Sequence, residues 1–171
     1  MLEFERMFLA KSLPDLENCK KKEVIDVYYP KTSEHPVVRL RKNGDTYEIT
    51  KKSKLESGVF QEQTINLTLE EFNAFAQLDG KKIHKIRYFY PYKGRTLEIG
   101  VFQGTLHGLV IVDVEFANKE EAETFTTPDF CLAELKHKEF LAGGLLCGKS
   151  YADIEHHLLE HGYKKISSKA F

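Results

Sequence analysis

The chain has 171 residues, 42% of them hydrophobic and 30% charged, with a formal net charge of −1. That length supports one domain with its own core, and the near-neutral balance argues against a general nucleic-acid or membrane-surface binder. No stretch approaches the roughly 18 consecutive apolar residues of a membrane span, and Glu3 and Glu5 stand where a secretory signal needs a basic start, so a cytoplasmic location is expected.

The opening stretch, Met1 to Lys11, reads as a strand with Glu3, Glu5, Met7 and Leu9 on one face and Leu2, Phe4, Arg6 and Phe8 on the other. Ser12 to Asp15 is a turn. Glu23 to Tyr29, rich in β-branched and aromatic residues, is a strand stopped by Pro30. Val37–Lys42 and Thr46–Lys52 form a hairpin around Asn43-Gly44-Asp45, with Arg39 and Arg41 sharing one face of the first strand and Glu48, Thr50 and Lys52 one face of the second. Lys54 to Gly58 reads as a polar loop, and Val59–Leu67 as a strand with Phe60, Glu62, Thr64 and Asn66 together. Thr68-Leu-Glu-Glu71 is a capping box opening a helix with the stripe Leu69, Phe72, Phe75 and Leu78, stopped at Gly80.

Lys81–Tyr92 and Arg95–Phe102 are strands joined by Lys93-Gly94, with Lys85 and Arg87 alternating against Ile86 and Tyr88 on the first. Leu109–Phe116 is a further strand, with Asp113 and Glu115 on one face and Val112, Val114 and Phe116 on the other. A helix starts at Asn118, and a shorter one is predicted over Cys131–Phe140. Ala142–Gly148 reads as a flexible connection, and Ser150 caps a helix to about His161 that docks through Ala152, Leu158, Leu159 and Tyr163. Cys19, Cys131 and Cys147 are odd in number, without metal spacing, and are read as reduced thiols. His156, His157 and His161 are read as helix-surface residues.

Charges two apart recur on otherwise apolar strands: Arg39/Arg41 and Lys85/Arg87 are basic, Glu3/Glu5 and Asp113/Glu115 acidic, and Glu62 and Glu98 add single acids. A wetted face of an antiparallel sheet explains part of this but leaves like charges as neighbours, which sheets disfavour. Closing the strands into a barrel places the apolar side chains under outer helices and the charges in a lumen. There, clustered Arg and Lys suit a run of phosphates, and carboxylates suit Mg²⁺ or Mn²⁺. Together these are the means of phosphoryl transfer.

Glu3-x-Glu5, Val38-Arg-Leu-Arg41, Tyr47-x-x-Thr50-x-Lys52, Lys85-x-Arg87-Tyr88, Leu97-Glu-x-x-Val-Phe102 and Gly108-Leu-Val-x-x-Asp-x-Glu-Phe116 occur in register over most of the chain. This series resembles the CYTH superfamily of triphosphate tunnel enzymes, which includes inorganic and thiamine triphosphatases and class IV adenylyl cyclases. The resemblance implies an α+β fold: a closed, eight-stranded antiparallel tunnel over residues 1–142, with helices outside and residues 143–171 as linker and helix on the same domain. It implies Glu3, Glu5 and Lys52 as catalytic residues. Arg39, Arg41, Lys52, Lys85, Arg87 and, by looser alignment, Lys138 would bind phosphates. Glu3, Glu5, Glu115, Asp113, Glu62 and Glu98 would serve Mg²⁺ or Mn²⁺. The implied partner is a small-molecule triphosphate, and a homodimer is compatible with it.

Departures from the family pattern bear on catalysis. The opening signature Glu-x-Glu-x-Lys has Met7 at the lysine, and a thioether neither positions nor activates water. Phe60 replaces an arginine, Thr64 an acid and Gly100 an aspartate. Three readings therefore stand: a metal-dependent triphosphatase, an adenylyl cyclase in which a ribose hydroxyl replaces water, and a binder of triphosphate or polyphosphate with impaired catalysis.

Overall fold

A computed structural model of the chain describes residues 4–56, 59–135 and 139–167. It contains nine strands: β1 (Phe4–Ala10), β2 (Lys20–Tyr29), β3 (Val38–Asn43), β4 (Thr46–Glu56), β5 (Val59–Leu67), β6 (Lys81–Tyr92), β7 (Arg95–Phe102), β8 (Val110–Phe116) and β9 (Cys131–Glu134). The helices are α1 (Leu69–Ala76), α2 (Lys119–Thr124), α3 (Gly143–Leu146) and α4 (Tyr151–Glu160). Hydrogen-bonded neighbours follow the order β5-β4-β3-β2-β6-β7-β8-β1-β9. The large antiparallel sheet is as expected, but it has nine strands rather than eight, and hydrogen bonds among the described residues do not close it.

The ninth strand occupies part of the segment expected to be helical. Cys131–Glu134 pairs antiparallel with β1, setting Phe8 opposite Glu134 and Leu9 opposite Ala133. A clamp holds it there. Arg6 Nε and Nη2 donate to the two carboxylate oxygens of Glu134 at 2.8 Å, while Nη1 donates to the carbonyls of Ala122 and Phe125. Helical spacing in residues 131–140 is outweighed by the free β1 edge that the segment satisfies.

Two compact units divide the chain. The first comprises Met1–Lys21, Ile86–Lys138 and Ser150–Phe171; the second comprises Lys22–Lys85 and Glu139–Lys149. In the first unit the apolar faces of β1, β7 and β8 build the core from Phe8, Leu97, Ile99, Val112 and Val114, with Tyr88 of β6 joining them. The α2 helix lies against β1 and β8, capped by Asn118, whose side chain accepts from the Glu121 amide. In α4, capped by Ser150 in a full capping box, the inward face is Tyr151, Ile154 and Leu158. Ala152 and Leu159, expected to dock, are exposed. Leu158 and Tyr163 are buried as expected, and Tyr163 accepts from the Val110 amide and donates to the Gly108 carbonyl.

In the second unit, Val27, Leu40 and Phe72 form the core, with Tyr47, Ile49 and Leu67 packed around it. The α1 helix is closed by the capping box read from Thr68 and Glu71. Only Phe72 of its apolar stripe is buried; Leu69, Phe75 and Leu78 are exposed, because eight residues give the helix barely two turns to lay on the sheet. The hairpin between β3 and β4 turns at Gly44, whose φ of 61° lies in the left-handed region that glycine adopts without strain. Ala142–Gly148 is not a loose connection: Leu146 and Cys147 are buried, and α3 forms within it. All three cysteines are free.

Candidate active site

In the second unit, strand pairing gathers the expected charges. Asp26 faces Arg41 and Tyr28 faces Arg39 across β2 and β3; Arg39 faces Thr50 and Arg41 faces Glu48 across β3 and β4. Lys52 then faces Glu62, and Thr50 faces Thr64, across β4 and β5. Alternation puts Val27, Leu40 and Ile49 on the opposite side beneath α1. One sheet face is therefore apolar and covered, and the other carries Asp26, Tyr28, Arg39, Arg41, Glu48, Thr50, Lys52 and Glu62.

The cations on this face are not equivalent. Arg41 and Asp26 form a bidentate pair, Nε to Oδ1 at 2.6 Å and Nη2 to Oδ2 at 2.7 Å, with Asp26 almost wholly buried. Burial alone disfavours the Arg41 guanidinium, but hydrogen bonds and charge from Asp26 outweigh it and raise its pKa. Arg39 meets Glu48 at 3.4 Å, and its Nε is buried without a hydrogen-bond partner among the described residues. Lys52 meets Glu62 at 3.3 Å, with both side chains about half exposed. The half-exposed Lys52–Glu62 pair contributes about 0–1 kcal/mol, and the 3.4 Å contact between the part-buried Arg39 and Glu48 is longer than either Arg41–Asp26 bond, so an anion displaces these two carboxylates more readily than Asp26 from Arg41.

Arg39 and Lys52 line a cavity of about 360 Å³ together with Tyr28, Thr50, Glu62 and the Gly143-Gly144 pair. Thr64, where the family pattern has an acid, shares a 2.9 Å hydrogen bond between hydroxyls with Thr50. Burial first, then the charge of Asp26, pushes the Tyr28 phenol up to about 12, so it is a protonated donor at neutral pH. Reading the sequence for charge pairs missed Tyr28 and Asp26. The signal was present as alternation: Asp26-x-Tyr28 on β2 shares the face of Arg39 and Arg41. Lys85 of β6 is half-buried in this unit, flanked by His84, whose Nε2 lies 3.1 Å from Glu23 Oε1. Lys42 also donates to Glu23, and that hydrogen bond, the largest effect, lowers the Glu23 pKa.

The first unit carries most of the acids. Glu5 lies directly opposite Glu115, Met7 opposite Asp113, and Glu98 opposite Asp113. Arg87 Nη1 sits 2.9 Å from Glu98 Oε2. Glu3 and Lys138 lie outside the described residues, as does the side chain of Phe60. Among the described residues no three His, Cys, Asp or Glu side chains are grouped as the ligands of an all-protein cage. The exposed Glu5/Glu115 pair does fit another mode. Mg²⁺ is usually held by one or two carboxylates and completed by substrate phosphates.

In the second unit, antiparallel strands thus gather Arg39, Arg41 and Lys52 on one face, a grouping whose charge and donors suit an anion. The chain is 32% identical over 131 residues to an inorganic triphosphatase of Nitrosomonas europaea, covering 75% of this chain and 85% of that protein. It thus belongs to the CYTH superfamily of triphosphate tunnel enzymes. The fold agrees: the crystal structure of the inorganic triphosphatase NE1496 superposes with a TM-score of 0.68 at 28% identity, covering 85% of this chain and 94% of that one. A second crystal structure of NE1496 gives 0.69 at 27% identity, with 87% and 99% coverage. No family model matches the chain.

Proposed function

We propose that the chain is a metal-dependent triphosphatase acting on inorganic triphosphate or a small organic triphosphate. The observation that carries this is the cavity holding Arg39 and Lys52, two cations in ion pairs of 3.4 and 3.3 Å with Glu48 and Glu62, in a relative of an inorganic triphosphatase. A guanidinium offers a planar fork to two phosphate oxygens and an ammonium a compact charge, so the two hold a phosphate chain in a fixed orientation. Tyr28 and Thr50 add neutral donors. Arg41, locked to Asp26, ties β3 to β2 beside Arg39.

In the reaction, water adds to a terminal phosphorus, the bridging P–O bond breaks, and orthophosphate and diphosphate leave. Charge accumulates on the phosphate oxygens, where Lys52 and Arg39 are pre-aimed to stabilise it. Glu5 and Glu115 would hold Mg²⁺ or Mn²⁺, an ion that would supply charge neutralisation to phosphate oxygens. Glu98, opposite Asp113 in the sheet, keeps Arg87 oriented through its 2.9 Å ion pair.

Met7 supports a second reading, a triphosphate binder with slow turnover. The position carries a half-buried thioether opposite Asp113, where the family pattern has an ammonium. The experiment is product analysis. Inorganic triphosphate with Mg²⁺ or Mn²⁺ should release orthophosphate, and ATP should yield no cyclic AMP; tight binding without release would favour the binder.

A further inference from the structure

The loop between β2 and β3 presents one side chain to the cavity that no motif accounts for. Residues 31–36 are tied at two points: Lys31 Nζ donates to both carboxylate oxygens of Asp79 at 2.9 Å, and Lys81 Nζ donates to the Ser33 carbonyl at 2.6 Å. Pro36 is buried at the end of this tethered loop. His35, just before it, is exposed to solvent, lines the cavity with Arg39 and Lys52, and makes no hydrogen bond or ion pair among the described residues.

What seats the ring is a glycine. A Cβ on Gly144 would fall 2.7 Å from His35 Cδ2, 2.9 Å from His35 Nε2 and 3.3 Å from the Pro36 carbonyl. Contacts that short do not occur at real side chains, so any larger residue at 144 must displace the imidazole. The preceding Gly143 does the same for Tyr28, whose hydroxyl occupies the space a Cβ would need. Two consecutive glycines thus each admit one polar ring to the same cavity. A structural explanation for Gly143-Gly144 alone would require only close packing; it would not require that both neighbours be hydrogen-bonding rings on the cavity wall.

We infer that His35 is a phosphate-binding residue at the cavity rim, held against Gly144, where its ring nitrogen donates to a terminal phosphate of the substrate; the inference rests on the proposed triphosphate reading. Inorganic triphosphate has more oxygens than Arg39 and Lys52 can saturate, and a terminal phosphate emerging at the rim meets the ring N–H of His35, which has no partner among the described residues. The ring could otherwise serve as a flat surface for a nucleoside base, and the test separates these uses.

Isothermal titration calorimetry of the full chain with inorganic triphosphate and Mg²⁺ reads the affinity, and orthophosphate release reads KM and kcat. Losing one hydrogen bond to a charged group should weaken Kd and raise KM about tenfold or more in His35→Ala and His35→Phe, with kcat within about twofold. His35→Gln, which keeps an N–H donor, should recover most of that loss. Gly144→Ala should weaken binding alone but add little on top of His35→Ala, since both remove the same contact. Unchanged affinity in His35→Phe, equal loss in His35→Gln and His35→Ala, or additivity with Gly144→Ala would each overturn the assignment. If Arg39→Ala abolishes binding while His35→Phe does not alter it, this inference fails alone; if the wild-type chain does not bind inorganic triphosphate, the proposed function fails with it.

Discussion

Removing Asp26 should damage the fold much more than removing a surface charge from the same sheet face. The Asp26 side chain is 5% exposed and that of Arg41 20%, and the two are joined by hydrogen bonds of 2.6 and 2.7 Å. Asp26→Ala leaves the guanidinium desolvated and without its counter-charge, a change that costs about 3–5 kcal/mol. Glu48 stands opposite Arg41 on β4 and is only loosely engaged with Arg39, so it offers partial compensation. The lower end, about 3 kcal/mol, is therefore expected, equivalent to a fall in Tm of about 10 °C at this chain length. Urea denaturation followed by circular dichroism measures it. Lys52→Ala, from a pair 3.3 Å apart and about half exposed, should cost under about 1 kcal/mol in the same assay. Replacing both members, as Asp26→Leu with Arg41→Met, should recover most of the loss, since no buried charge then remains unpaired. A loss below about 1 kcal/mol for Asp26→Ala, or no recovery in the double variant, would refute the division of this face into a locked pair and displaceable cations.

Three further outcomes are expected. Met7→Lys should raise orthophosphate release by about tenfold or more while leaving triphosphate affinity within a few-fold, because restoring a positioning group acts on turnover; an unchanged kcat would remove Met7 as the cause of slow catalysis. Glu5→Gln and Glu115→Gln should each raise the Mg²⁺ concentration for half-maximal activity by about tenfold, and chelation by EDTA should abolish activity in the parent chain; unchanged Mg²⁺ dependence would remove that pair as the metal site. At alkaline pH the sign follows from Tyr28, whose phenol burial pushes up to about 12, above the ordinary tyrosine value of about 10. Its contribution, about 3 kcal/mol, is fully present below pH ~10 and is lost as the pH rises from ~10 through 12. Denaturation at pH 8 and pH 11.5 should therefore show a fall in stability that Tyr28→Phe makes shallower, and an equal fall in both proteins would contradict the assignment.

Much of this arrangement was legible in the strands because alternation is a strong signal. Arg39, Arg41, Thr50 and Lys52 share a face for the same reason that Leu40 and Ile49 share the other, and no tertiary information is needed to see it. The Asn43-Gly44 hairpin and the Thr68 and Ser150 capping boxes were equally local. Harder to read was anything fixed by a distant partner. Cys131–Glu134 becomes a strand because β1 has a free edge and Arg6 reaches Glu134, 128 residues away. Gly143 and Gly144 resemble a hinge until Tyr28 and His35 are found against them. The unequal hold on Arg39, Arg41 and Lys52 was also invisible in the motif, because Asp26 comes from a third strand. The sheet's open order likewise followed from edges and register, which charge patterning does not specify.

The most direct test is to titrate inorganic triphosphate, with Mg²⁺, into the wild-type chain and into Arg39→Ala and Lys52→Ala while measuring orthophosphate release. The account predicts saturable binding and release by the wild type, with affinity lost about tenfold or more in each variant and stability kept within about 1 kcal/mol. Wild-type binding that survives intact in both variants would contradict it.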